Sequence, residues 1–130
     1  MKNRIALITA IGLLLTGCVS TPTSVAESPT PAPKATYATV VELRDAYMKA
    51  GGACPDWQPN NVVKLAAQSG ACDANTVLST YLSSDIRDQV VTTLKGFGGG
   101  VHLLVGENWV INTLDPESYV SELGGTVVSG

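Results

Sequence analysis

The chain has 130 residues, with eight basic and eleven acidic side chains and a net charge of −3, which leaves room for one modest domain. The acidic balance excludes a surface that tracks nucleic-acid phosphates, and it supplies no attraction toward anionic lipid headgroups. The chain opens on a basic stretch, with Lys2 and Arg4, followed by a mainly apolar run over residues 5–15. That run is roughly half as long as a membrane-crossing helix needs, and a short apolar core behind a positive start is the layout of a secretory signal.

The apolar run stops at Leu15-Thr16-Gly17-Cys18. A leucine, a small or polar residue, a glycine and then a cysteine resembles the signal of bacterial lipoproteins. The resemblance implies that residues 1–17 are removed and that Cys18 becomes the first mature residue, diacylated on sulfur and acylated on its amine. Each acyl chain contributes about 0.8 kcal/mol per buried methylene, so two or three chains hold a small protein at a membrane where one would not. Loss of Lys2 and Arg4 leaves six basic against eleven acidic side chains, so attachment depends on lipid rather than charge. The implied location is the cell membrane, facing outside the cytoplasm.

Residues 18–38 hold Pro22, Pro29, Pro31 and Pro33 among Ser, Thr and Ala. With almost no large apolar side chain to repay ordering, this segment reads as a disordered tether. The folded domain is then expected over residues 39–130.

Within that domain, Thr39 and Glu42 have capping-box spacing, and Val40, Leu43, Tyr47 and Ala50 recur every three or four residues until Gly51-Gly52, which predicts a helix. An irregular stretch around Trp57 follows. Asn61 to Gln68 suits a short helix or a strand; two antiparallel strands near 62–68 and 76–82, joined by a long loop, are expected, the second because Thr-Val-Leu-Ser-Thr-Tyr-Leu is rich in β-branched and aromatic residues. Ser84 is placed to cap a helix with Ile86, Val90, Leu94 and Phe97 on one stripe, stopped by glycines from Gly96 to Gly100. Two apolar runs flanking Gly106-Glu107-Asn108 predict a hairpin. Asp115-Pro116 opens a last helix with Tyr119, Val120 and Leu123 inward. The expectation is an α+β two-layer sandwich, in which an N-terminal helix precedes two strand-strand-helix units forming a four-stranded, mainly antiparallel sheet.

With Cys18 lipidated, Cys54 and Cys72 remain, and an exported chain with an even count predicts a disulfide between them. Their spacing does not suit a metal, and the single histidine, His102, lies in a separate apolar run, so no metal or cofactor is expected. A hydrolase centred on His102 needs a nucleophile and an orienting carboxylate; Ser69, Ser79 and Asp115 are available, but none stands in a nucleophile motif. Asp85 and Asp88 sit at a helix start, where acids favour the dipole, and Glu107 and Glu117 have similar turn and first-turn positions. Gly98 to Gly100 lacks the Gly-Lys-Ser/Thr of a phosphate loop.

Seven aromatic residues remain for packing or contact. Tyr47, Phe97 and Tyr119 fall on helix stripes and are expected in the core. Trp57, among Pro, Asp and Asn beside a disulfide, either plugs the end of the sandwich or stands exposed as a contact anchor; Trp109, opening a strand, either lies across the sheet as a core or cross-strand partner or serves as a contact residue. The domain loosely resembles small uncharacterised envelope lipoproteins of high-GC Gram-positive bacteria. The expected role is a non-catalytic protein- or glycan-binding or accessory module with no catalytic residues, with a hydrolase using His102 as the alternative.

Overall fold

In a computed structural model, residues 34–130 are described. The signal segment, Cys18 and most of the tether lie outside these residues. Lys34 to Ala38, the end of the expected tether, has no regular secondary structure. It is nevertheless fastened to the domain: Tyr37 N–H donates to Asn108 Oδ1 at 3.0 Å, Asn108 Nδ2 donates to Tyr37 O at 2.8 Å, and Trp109 Nε1 donates to Ala35 O at 2.9 Å.

Helix α1 spans Val40–Lys49. Thr39 Oγ1 accepts from Glu42 N–H at 3.2 Å, the first half of a capping box, and Glu42 Oε2 reaches one residue past the cap to accept from Ala38 N–H at 3.0 Å. Its apolar stripe buries Val40, Leu43 and Tyr47. Strands β1 (Gln58–Asn60), β2 (Gln68–Ala71) and β3 (Val77–Thr80) follow, then helix α2 (Ser84–Gly96), strands β4 (His102–Val105) and β5 (Trp109–Asn112), a 3-10 turn (Pro116–Tyr119) running into the short α3 (Val120–Leu123), and strand β6 (Thr126–Ser129). The α2 cap is Ser83, one residue before the expected Ser84, and its hydroxyl accepts from Ile86 N–H at 3.3 Å.

The sheet corrects the expected fold. It has six strands rather than four, in the order β1-β2-β3-β5-β4-β6, and every neighbouring pair is antiparallel. Two three-stranded units meet at the β3–β5 ladder. Strand β1, Gln-Pro-Asn, and strand β2, Gln-Ser-Gly-Ala, carry almost no large apolar side chain, so alternation gives no signal for either. Val62 and Val63, within the strand expected near 62–68, lie in an irregular loop instead, and pairing begins only at Gln68. Strand β6 follows Gly124-Gly125 and pairs along β4, with Leu104 opposite Val127.

The layering is also different, because the helices cover both faces. Leu78, Leu104, Trp109 and Ile111 point to one side, where α1 and Leu123 of α3 close over them. Leu103, Val110 and Tyr81 point to the other, against Val90 of α2. The register enforces this division: Leu104 and Leu78 both flank Ile111, whereas Val110 lies between Val105 and Ser79. A two-layer sandwich leaves one sheet face to solvent, and this sheet has apolar side chains on both.

Candidate functional site

The two faces are filled very differently. On the α1 face, Trp109 is fully buried at 0% exposure, and its indole lies against the turn glycine Gly106, where a Cβ would come within 1.9 Å of the ring. On the α2 face, Val90 is the one buried side chain that α2 contributes, and Phe97 stands 75% exposed. This overturns the expectation that Phe97 completes the helix stripe. The N-terminal half of α2 is tied down, since Arg87 Nη1 donates to the carbonyls of Gly106 at 2.6 Å and Glu107 at 2.5 Å. The C-terminal half has no such clamp among the described residues.

Between that half of α2, the sheet and the loop before β2 lies a pocket of about 390 Å³. This is within the range of small-molecule sites. Its floor is made by Val77, Ser79, Val90 and Val110, all buried or half-buried, and Leu94 forms a wall. Its rim is Val62, Leu65 and Phe97, which are 63%, 60% and 75% exposed. The loop bearing Val62 and Leu65 is anchored at its end by Ala67 N–H donating to Thr80 O at 2.7 Å. Leu65 takes a φ of +69°, a left-handed conformation that costs an L-residue about 1–2 kcal/mol.

The polar side chains of the pocket divide into two groups. Ser79 Oγ is 2.9 Å from the Tyr81 hydroxyl and 3.3 Å from Val110 O, and Thr93 Oγ1 donates to Gln89 O at 2.9 Å. Burial pushes the Tyr81 hydroxyl pKa above its ordinary value, against a smaller opposing effect of the Ser79 hydrogen bond, so the phenol stays neutral. Lys64 and Asn112 form no hydrogen bond or ion pair through their side chains among the described residues, and Lys64 is the pocket's one charged lining residue. A larger cleft of about 440 Å³ lies where the chain enters the domain at Lys34 and Ala35, lined by Arg87, Asp88 and Glu107. Its guanidinium is already committed to Asp88 and the hairpin carbonyls.

The residues singled out in the sequence are placed as follows. Cys54 and Cys72 are joined in a disulfide, with Cα atoms 4.3 Å apart. Trp57 is half-buried; one side of its ring lies on Gly70, where a Cβ would approach within 2.3 Å, and the Arg44 guanidinium carbon is 5.2 Å from the ring centroid. Trp109 is a core residue and presents no contact surface. Both indoles pack with the α1-face core, so they form no exposed pair.

His102 is exposed on β4 and stands opposite Ser129. Among the described residues its imidazole makes no hydrogen bond. Alternation sets it with Leu104 on the α1 face, whereas Ser79 lies on the α2 face, so the sheet separates that pair. Ser69 donates to Asn60 O at 2.8 Å, and Asp115 accepts from Ser118 within its own turn. On the same face Tyr119 faces the Tyr47 hydroxyl at 3.4 Å; that hydrogen bond, then burial and nearby charge, push the Tyr119 pKa up to about 12. Among the described residues no group of three or more His, Cys, Asp or Glu side chains could hold a metal, and no helix is long and apolar enough to cross a membrane.

Compared with protein families, with curated proteins and with solved structures, the chain matches none. The pocket itself was not read from the sequence. The available signal was Val62, Val63 and Leu65 in a segment bounded by Asn61 and Gln68, where a strand was expected.

Proposed function

We propose that this chain is a lipid-anchored lipoprotein held outside the cytoplasm through Cys18, and that its domain is a non-catalytic binding module whose site is the pocket beneath the C-terminal half of α2. The observation that carries the reading is an apolar hollow of about 390 Å³ with a buried aliphatic floor and an exposed apolar rim. A protein that only needed a closed core would lower its free energy by turning Phe97, Val62 and Leu65 inward; keeping them at a mouth suits a surface that meets an apolar partner. The disulfide supports an oxidising compartment, in keeping with export. The acidic chain supports attachment through lipid.

The anchor and the site are tested separately. Cells expressing the full chain and fed an alkyne-bearing palmitate should incorporate it, and Cys18→Ala should abolish incorporation; an intact mass retaining Met1 and an unmodified Cys18 counts against the anchor. For the site, a photoreactive dodecanol added to membranes carrying the full chain should label the peptides containing Val62–Leu65 and Val90–Phe97. Labelling spread evenly over the domain would refute the pocket as the binding surface.

A further inference from the structure

The charge around the pocket deepens this reading by narrowing its ligand. In a chain with eleven acidic side chains, no carboxylate lines this pocket, and Lys64 is its one charged residue. Lys64 is exposed at the mouth beside Val62 and Leu65, while the floor of Val77, Val90 and Val110 is aliphatic. Ser79, the polar group of the floor, is already engaged with Tyr81 and Val110 O, so the floor does not demand a polar partner. Asn112 adds an amide at the wall that has no hydrogen bond among the described residues. The arrangement is a mainly aliphatic floor with one cation at the mouth to meet a head group.

We infer that the pocket takes a medium-chain fatty acid, its alkyl tail on the Val77–Val90–Val110 floor and its carboxylate at the mouth near Lys64. The volume agrees: about 390 Å³ lies toward the small end of small-molecule sites, which suits one alkyl chain. A two-chain lipid does not fit within that space, and a sugar would leave its hydroxyls facing valines. Leu65, held at a φ of +69°, keeps its side chain at the mouth, where an alkyl tail has to pass.

This inference rests on the pocket being the binding site, and the experiment separates the two. Membranes carrying the full chain are irradiated with a photoreactive dodecanoic acid and, in parallel, with the dodecanol of the same length. Both should label the peptides spanning the pocket, and unlabelled dodecanoate should compete with the acid. Lys64→Glu, an exposed loop change that leaves the core untouched, should reduce labelling by the acid about tenfold, the lower range for a charge-assisted contact at an exposed rim, and leave labelling by the alcohol within about twofold. Thr93→Trp, which fills the pocket from the exposed side of α2, should remove labelling by both probes. Equal labelling by acid and alcohol that Lys64→Glu does not alter would overturn the fatty-acid assignment while retaining an apolar site. Labelling by either probe that survives Thr93→Trp, in protein whose disulfide and circular dichroism match the wild type, would overturn both.

Discussion

The two faces of this sheet share the same strands yet hold their helices in different ways. On the α1 face, aromatic side chains lie on glycines, the disulfide ties the segment after α1 to the end of β2, and a helix cap is formed. On the α2 face, aliphatic residues meet one buried helix side chain, an arginine holds one end of the helix, and a pocket remains at the other. The difference sets a closely packed face against one that leaves a pocket open to solvent. Local stability is expected to follow that division, with the less densely packed face supplying the elements that adapt to a ligand.

The most direct way to break the comparison is to truncate one aromatic on each face. Trp109→Ala removes a fully buried indole, which also donates to Ala35 O and packs edge-on to Tyr37 at 5.9 Å between centroids. It should cost about 4 kcal/mol, on the order of 20 °C in melting temperature. Phe97→Ala removes a ring of similar bulk that is 75% exposed, and should change stability by no more than about 0.5 kcal/mol. Urea unfolding of the two variants checks both values. Equal losses would show that α2 is packed as tightly as α1.

The disulfide sharpens the same contrast with a smaller effect. Cys54 and Cys72 are 18 residues apart in sequence, and closing a loop of that size contributes about 3 kcal/mol by chain entropy. The Cys54→Ser/Cys72→Ser double variant should lose about that much in global unfolding. Amide exchange should show the loss concentrated in α1, β1 and β2, with the opening of the C-terminal turn of α2 little changed. A uniform loss over both helices would mean that the faces do not differ in local stability.

What the sequence showed follows the same division. The α1 cap, the β4–β5 hairpin and the cysteine pair were legible because each has a simple chemical signature: a hydroxyl three residues before a carboxylate, apolar runs about a three-residue turn, and two cysteines left once Cys18 is set aside. The edge strands were not, because β1 and β6 are short and take their order from ladder pairing rather than side-chain alternation. The second layer of helix was missed for a related reason. Leu103 and Leu104 are adjacent and both fully buried, which signals apolar side chains on both sheet faces, yet the regular stripe of α2 does not reveal that Phe97, just past its end, stays exposed. Phe97 satisfied the helical period and still ended in solvent, since periodicity says which side a residue faces and not whether anything meets it there.

A further effect, smaller than the loss of Trp109 or of the disulfide, lies at the pocket mouth and concerns backbone rather than packing. Leu65 holds a φ of +69°, a conformation costing about 1–2 kcal/mol for an L-residue, and its side chain is 60% exposed, so little burial compensates. Leu65→Gly removes the strain but frees the unfolded chain by roughly 0.5–1 kcal/mol. The net outcome should lie between no change and a gain of about 1.5 kcal/mol, the balance of those two costs. On the α1 face the same kind of change, Leu43→Gly, has no strain to relieve and removes a side chain with 0% exposure, so all of its effect is loss. A gain in stability for Leu65→Gly, together with weaker labelling of the pocket, would place Leu65 among residues kept for contact at the expense of stability. A loss greater than about 1 kcal/mol would show that its side chain is needed to hold the loop, and the contrast between a closed face and an open one would then fail at its most exposed point.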